Sequence, residues 1–450
     1  MASVEVDVAV VGAGLAGLVA ARELRRLGRD CLVFEAGPEV GGRTRNGTLG
    51  GSGIDLGGTF VGADQERVIA LARELGLGLS LTYDEGDNVI VWRGRRRTYG
   101  GTIPRLDPAT LLSVGYLRTR LEEMVGSVPL GAPWESERAR MLDAETLGSW
   151  MRRLGVTQGA RDLMRLAVTV SWGCEPDEVS LLHVLHYLRG TGGLDAMLAV
   201  KDGAQELHID EGAQAISLRL AAELGDRVVR AAPVSEVAWD EGGATVAAGE
   251  ARVRAGRVVF ALSPTMRAKI RFAPHLPGAW SEVPHHWFQG PVSKAYALYE
   301  RPFWRDAGLS GEGISDAGPV TVTLDAGPAD SSRGVMLGFV CADLARAWDR
   351  LPADERRAQA LSCFASMFGP RALEPVDYVD HRWSAEPWTG GGSVAAASPH
   401  AWTVSGRAIR TPIGPLHWAG TETAGRWTGF MEGAVRSGER VARELALPAS

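Results

Sequence analysis

A glycine cluster set between an apolar strand and an amphipathic helix constrains this chain more than any other feature. Residues 4–11, VEVDVAVV, read as a short buried strand, β-branched, apolar and bounded by glycine. Gly12-Ala13-Gly14-Leu15-Ala16-Gly17 follows, and then LVAARELRRLG, whose leucines and alanines keep helical spacing up to Gly28. A second apolar strand over 30–36 ends in Glu35-Ala36. In such a unit Gly12 permits the tight turn, Gly14 lets backbone approach a pyrophosphate, and Gly17 lets helix and strand pack closely. The helix N-terminus presents free N–H groups to phosphate, and Glu35 is placed to accept ribose hydroxyls. The chain has 57 glycines, so the weight of the motif comes from this context.

Val40-Gly41-Gly42-Arg43-Thr44 lies just past the acidic strand end. NAD dehydrogenases do not require a GG-Arg here, whereas FAD enzymes of the glutathione-reductase-like group often carry one. Gly42 would bring backbone against the cofactor, and Arg43 is expected to pair with the pyrophosphate. A solvated surface arginine is the competing reading. The run 55–62, DLGGTFVG, extends the pattern, with Gly57, Gly58 and Thr59 beside the flavin.

The remaining pattern predicts a helix over 65–76 and mostly helical, Trp- and Leu-rich text from about 83 to 210, with loops at 100–108 and 126–134. Short strands follow over 225–262, 292–300 and 319–324, then a helix over 354–369, a strand over 416–420 and a helix from about Gly429. The expected fold class is α/β (α+β overall): a Rossmann-like FAD-binding domain with an interleaved substrate domain containing a mixed sheet and helices. The FAD-binding domain is expected to comprise 1–82, 211–285 and 383–450. The substrate-binding domain takes 83–210 and 286–382.

Composition removes other classes. A 45% hydrophobic and 23% charged chain of 450 residues has an ordinary large core. A net charge of −6 offers nothing to nucleic acid or an anionic membrane. No secretory leader and no membrane span are expected, since no apolar window reaches ~20 residues. Four scattered cysteines without a CxxC pair speak against zinc or a disulfide framework and fit a cytoplasmic location. No metal is expected, and His285-His286 read as a solvated turn. Of 48 basic residues only Lys201, Lys269 and Lys294 are lysine. In so arginine-rich a chain, a retained lysine points to a position that needs an amine.

A third block closes the chain: Trp418-Ala-Gly420-Thr421-Glu422-Thr423, then Trp427-Thr-Gly429-Phe430-Met431-Glu-Gly433-Ala434. A strand ends, a helix begins, and its N–H groups would suit the flavin pyrimidine oxygen. These three blocks, in this order, resemble the flavin-dependent monoamine oxidase family. The likeness runs through Gly203-Ala-Gln205-Glu206, Ala232-Pro233-Val234, Gly290-Pro-Val-Ser-Lys294 with Pro302-Phe303-Trp304, and Trp383 ahead of Gly390-Gly391-Gly392. It implies two domains with FAD buried between them. It also implies oxidation of an amine to an imine, with O2 returning the flavin to its oxidised state and H2O2 released.

The resemblance assigns further expectations. Lys294 matches the lysine that holds a water against flavin N5, with a solvent-facing strand lysine as the alternative. Gln205 would line the cavity beside the amine, Val234 would meet the adenine and Trp383 would pack near the flavin, with plain core packing as the alternative for each. Gly420, Thr421, Glu422, Phe430 and Met431, like Ala13 and Ala16 at the other end, count as cofactor-binding. One wall of the family's aromatic cage matches Phe430, but the other falls at Ser393. The cage is therefore half built unless Trp172, Phe339 or Trp388 supplies a ring. Phe60, Val170, Trp172, Met197, Leu198 and Val322 complete an apolar pocket without an acidic residue, which disfavours polyamines although Asp202 and Glu206 are near. Gly392 stands where some members attach flavin through cysteine, so FAD is expected to be non-covalent. The expected partners are a small-molecule amine, most simply a cyclic or arylalkyl primary amine, and O2, with a homodimer left open. Other readings are an oxidase of a secondary or biosynthetic amine, a desaturase or isomerase of the same superfamily, and an FAD-binding protein without turnover.

Overall fold

The computed structural model describes residues 4–101 and 103–446. Val4–Val11 runs parallel to Cys31–Phe34 on one side and to Ala251–Ala261 on the other. Parallel strands covered on both faces require continuous apolar runs, which these segments supply. Leu416–Ala419 joins the far half of Ala251–Ala261 in parallel, and the hairpin Val234–Asp240 and Gly243–Ala248 takes its near half. Val228–Val229 and Arg271–Ala273 complete an eight-stranded sheet. Helix Leu15–Arg26 leaves the first strand through Gly12, whose φ of +102° suits glycine. The last helix, Met431–Ala446, lies against it so closely that a Cβ on Gly438 would sit 2.6 Å from the carbonyl oxygen of Ala16.

A seven-stranded sheet orders Asp377–Arg382, Val292–Tyr299, Gly334–Cys341, Val322–Asp325, Leu309–Ser315, Asp87–Trp92 and Arg95–Tyr99. The last two correct the expectation of helical text here. DNVIVW and RRRTY form a hairpin, and Arg93-Gly94 turns it with φ of +50° and +74°. Helices Pro108–Val125, Gln158–Trp172 and Leu181–Thr191 follow. His285 and His286 end the helix Gly278–His286 instead of forming a turn.

The strands of the larger sheet fall within 1–82, 211–285 and 383–450, and those of the seven-stranded sheet within 83–210 and 286–382. Two short sheets cross between these sets: Leu207–Ile209 with Phe60–Val61 and Leu79–Leu81, and Trp287–Gln289 with Ala395–Ala397. Among the described residues no helix is long and apolar enough to cross a membrane.

Candidate active site

A cavity of about 860 Å³ runs from the glycine turn of the first sheet to the face of the second. At its first end lie Gly12, Gly14, Ala16, Glu35 and Ala36, then Gly42, Arg43 and Val234. Helix Leu15–Arg26 has no side-chain cap at Gly14, so its first N–H groups open on the cavity. A Cβ at Gly14 would meet no atom closer than 3.8 Å, leaving a cradle beside that helix end. Each carboxylate oxygen of Glu35 accepts one backbone N–H, from Ala13 at 2.8 Å and from Gly37 at 2.9 Å, which fixes the carboxylate at the rim. Burial raises its pKa against the pull of these bonds. An anionic diphosphate beside a hydroxyl-bearing ribose fits this donor and acceptor set.

Two predicted residues of this end act one step back. Ala13 is fully buried and reaches the cavity through Glu35. Gly17 packs helix on strand, since a Cβ there would stand 2.0 Å from the oxygen of Gly12.

Arg43 lines the cavity, whereas Glu422 departs from expectation. Both terminal nitrogens of Arg43 donate to Glu422, at 2.5 and 3.1 Å, and one also donates to the Ser393 carbonyl at 3.1 Å. Glu422 is fully buried, does not line the cavity, and accepts a further N–H from Ala395. Its carboxylate is spent on holding Arg43, and the Arg43 charge is already paired. The reason is local: the buried Glu422 would be costly without its cation.

In the centre lie Gly57, Gly58, Thr59, Trp383, Gly420, Thr421, Phe430 and Met431. The Trp383 indole donates to the Leu56 carbonyl at 2.8 Å. The Thr421 hydroxyl accepts the Gly429 N–H and donates to the Phe430 carbonyl, so it fixes the turn that starts the last helix. Lys294 is buried. Its Nζ donates to the carbonyls of Asp55 at 3.0 Å and Gly57 at 2.5 Å and to the Thr59 hydroxyl at 2.8 Å. Burial pulls its pKa down to about 8, with Asp55 opposing, and pushes Asp55 up to about 6.

The remaining predicted pocket residues, Phe60, Val170, Met197, Leu198, Gln205, Val322, Phe339 and Ser393, all line the cavity. Gln205 donates from Nε2 to the Met197 carbonyl at 3.1 Å, which leaves Oε1 a buried acceptor without a partner. The Ser393 hydroxyl donates to the Ser171 carbonyl at 2.9 Å.

Trp172 does not line this cavity. Val170 on the same helix faces it, and two residues further the helix has turned by about 200°. Trp172 therefore points into the helical core against Tyr187, ring centres 5.0 Å apart. Tyr187, which the sequence reading missed, lines the cavity and stands 5.9 Å from Phe430. Trp388 lines the cavity with Lys269 beside Gly37, at the Glu35 end, away from the cage. Gln214 was also missed; it clamps the Val40 carbonyl and the Asn46 N–H behind the GG-Arg turn. The expectation of a wall without acidic residues fails: Glu312 lines the cavity, as does Asp195, which is paired with Arg118 at 2.7 Å.

A family model described as flavin-containing amine oxidoreductase matches residues 15–446. The chain belongs to that family. A Mycobacterium tuberculosis protein named as flavin-containing monoamine oxidase AofH is 48% identical over 441 residues, 98% of this chain and 96% of that protein. A double mutant of putrescine oxidase superposes with a TM-score of 0.95 at 34% identity, covering 99% of both chains. Cyclohexylamine oxidase from Brevibacterium oxydans gives 0.94 at 31% identity, covering 98% of both. This member of the amine oxidase family is an FAD-dependent oxidoreductase acting on an amine, with the mixed α/β fold of its neighbours.

Proposed function

We propose that the chain oxidises a cyclic or arylalkyl primary amine at the centre of this cavity, using non-covalent FAD. When bound, FAD accepts a hydride from the amine α-carbon and passes the electrons to O2, giving H2O2. The Gly12–Gly17 turn and Glu35 would hold its nucleotide half, with Ala13 fixing Glu35 and Val234 at the adenine. Gly42, Gly57, Gly58, Thr59, Trp383, Gly420, Thr421 and Met431 would surround its ring, and the Arg43–Glu422 pair would lock the neighbouring segments. No cysteine lines the cavity, which supports a cofactor held without a covalent bond.

The observation that carries the substrate reading is Ser393. At the position where the family's second ring would stand, this cavity has a hydroxyl bonded to backbone, while Phe430 remains on the wall. The missing ring leaves width for a substrate broader than a linear chain. The unpartnered Oε1 of Gln205 would accept an N–H of the amine, and the amine must shed its proton before hydride can leave its carbon. Lys294 would act as the positioned cation of the site. The four unpaired, buried thiols support a reducing, cytoplasmic setting. We also take the two sheets to mark the two domains as divided in the sequence.

The test is peroxide release across primary, secondary, cyclic and aromatic amines. Highest kcat/KM on cycloalkyl or arylalkyl primary amines is expected. A best substrate that is a secondary amine would overturn the substrate reading.

A further inference from the structure

One cation at the Glu35 end of the cavity is uncommitted. Five basic residues line the cavity: Arg43, Arg45, Arg118, Lys269 and Lys294. Arg43 forks onto the buried Glu422. Arg45 pairs with Glu386 at 2.8 Å, with Glu39 beyond it at 3.9 Å. Arg118 pairs with Glu122 and Asp195, and Lys294 donates to the carbonyls of Asp55 and Gly57 at the centre. Lys269 has no carboxylate partner among the described residues. Its ammonium lies over the Trp388 ring, 5.4 Å from the ring centre.

The fold brings these two side chains together on separate segments. Lys269 ends the short 3-10 helix Pro264–Lys269. Trp388 rides on a tight turn in which the Glu386 carbonyl accepts the Gly390 N–H at 2.8 Å. The segments pack on each other, since a Cβ on Gly390 would lie 3.2 Å from Cε of Met266. Cδ1 of Trp388 stands 3.8 Å from a Cβ built on Gly37, whose N–H donates to Glu35. Trp388 is nevertheless 42% exposed, the one tryptophan among the described residues left so open. An uncovered indole beside a free ammonium, at the lip of a cavity, suits a ligand with a flat body and a negative charge.

We propose that Lys269 and Trp388 form a clasp that retains the nucleotide half of FAD, Trp388 covering the adenosine and Lys269 balancing the diphosphate. This rests on the placement of that half at the Glu35 end. The dianionic diphosphate enters a region already lined by Glu35, Glu39 and Glu386. The helix N-terminus supplies only about half a positive charge there. With Arg43 held by Glu422 and Arg45 by Glu386, Lys269 is the cation left to answer it.

The test is the release rate of FAD from the holoenzyme on dilution, followed by the fluorescence of free FAD at low and high salt. Lys269→Gln should release FAD roughly fivefold faster or more at low salt, and the gap should narrow as salt screens the charge. Lys269→Arg should stay near the wild type. Trp388→Ala should release FAD by about fivefold or more faster at every salt concentration, with Trp388→Phe in between. Wild-type release in Lys269→Gln at low salt overturns the proposal, and so does a gap that ignores salt, which would make Lys269 a packing residue. Unchanged release in Trp388→Ala removes the cover and overturns it too. Gly14→Ala separates the two readings. If it loses FAD quickly while both clasp variants hold it, the nucleotide placement stands and the clasp falls; if it also behaves as the wild type, both fall.

Discussion

Arg43 and Glu422 lie 379 positions apart in the chain and share a two-pronged ion pair whose acidic partner is fully buried. The pair ties the GG-Arg turn to the terminal block, and through the Ser393 carbonyl and the Ala395 N–H it holds the segment between them. Glu422→Gln should lower stability by roughly 2–3 kcal/mol, less than for a fully buried pair because Arg43 is partly exposed. Thermal unfolding of the apoprotein checks this, and an unshifted midpoint would mean that the pair contributes little.

The glycine turn separates folding from cofactor binding. Gly17→Ala places a methyl on the oxygen of Gly12, so the fold itself should lose on the order of 3 kcal/mol. Gly14→Ala meets no close protein atom, and Gly14 has an ordinary φ of −73°. That variant should fold normally and bind FAD about tenfold more weakly or worse. FAD titration by fluorescence, beside urea unfolding of the apoprotein, distinguishes the two. Equal FAD affinity in Gly14→Ala would remove the phosphate from that cradle.

Lys294 carries its charge below about pH 8 and loses it above, because burial lowers its pKa from the ordinary 10.5. A cation beside the site favours electron transfer to O2, so flavin reoxidation should slow as pH rises through about 8. Lys294→Met should reoxidise about tenfold more slowly or worse, without that inflection, and keep its FAD. Stopped-flow reoxidation of dithionite-reduced enzyme avoids the titration of the substrate amine. A wild-type rate flat from pH 7 to 9 would contradict the assignment.

Ser393→Tyr should restore a second wall. One methylene in an apolar pocket is worth ~1–3 kcal/mol, so a whole ring should cost a cyclohexyl-type amine at least about tenfold in kcat/KM. Slim arylalkyl amines should be spared. An unchanged ratio of cyclic to linear substrates would place Ser393 outside the substrate's path.

Acid precipitation should leave intact FAD in the supernatant, since Cys31, Cys174, Cys341 and Cys363 are buried and none lines the cavity. Flavin retained by the precipitate would show a covalent link through another residue.

The nucleotide turn and the terminal block could be read from the sequence because local backbone demands fix their residues. Positions 12, 14 and 17 are set by a turn, a cradle and a packing contact that few other residues could serve. Other parts depended on tertiary context. Glu312 sits between Gly311 and Gly313, with no alternation to betray its face, and its strand gains extra residues against Asp87–Trp92. Tyr187 lies on a helix buried almost all round, where no stripe marks the side that meets the cavity. Trp172 misled because its neighbour Val170 does face inward. Glu422 looked like a cofactor ligand until its partner 379 positions away was in view.

The close seat of Gly438 on the first helix bears on how the molecule is made. The strand that begins the glycine turn leaves the ribosome long before the helix that backs it and the strand Leu416–Ala419 that extends its sheet. A nascent chain therefore carries an unfinished cofactor site until that helix has emerged. Flavin uptake should therefore await the helix Met431–Ala446, and any truncation that removes that helix should yield a colourless protein.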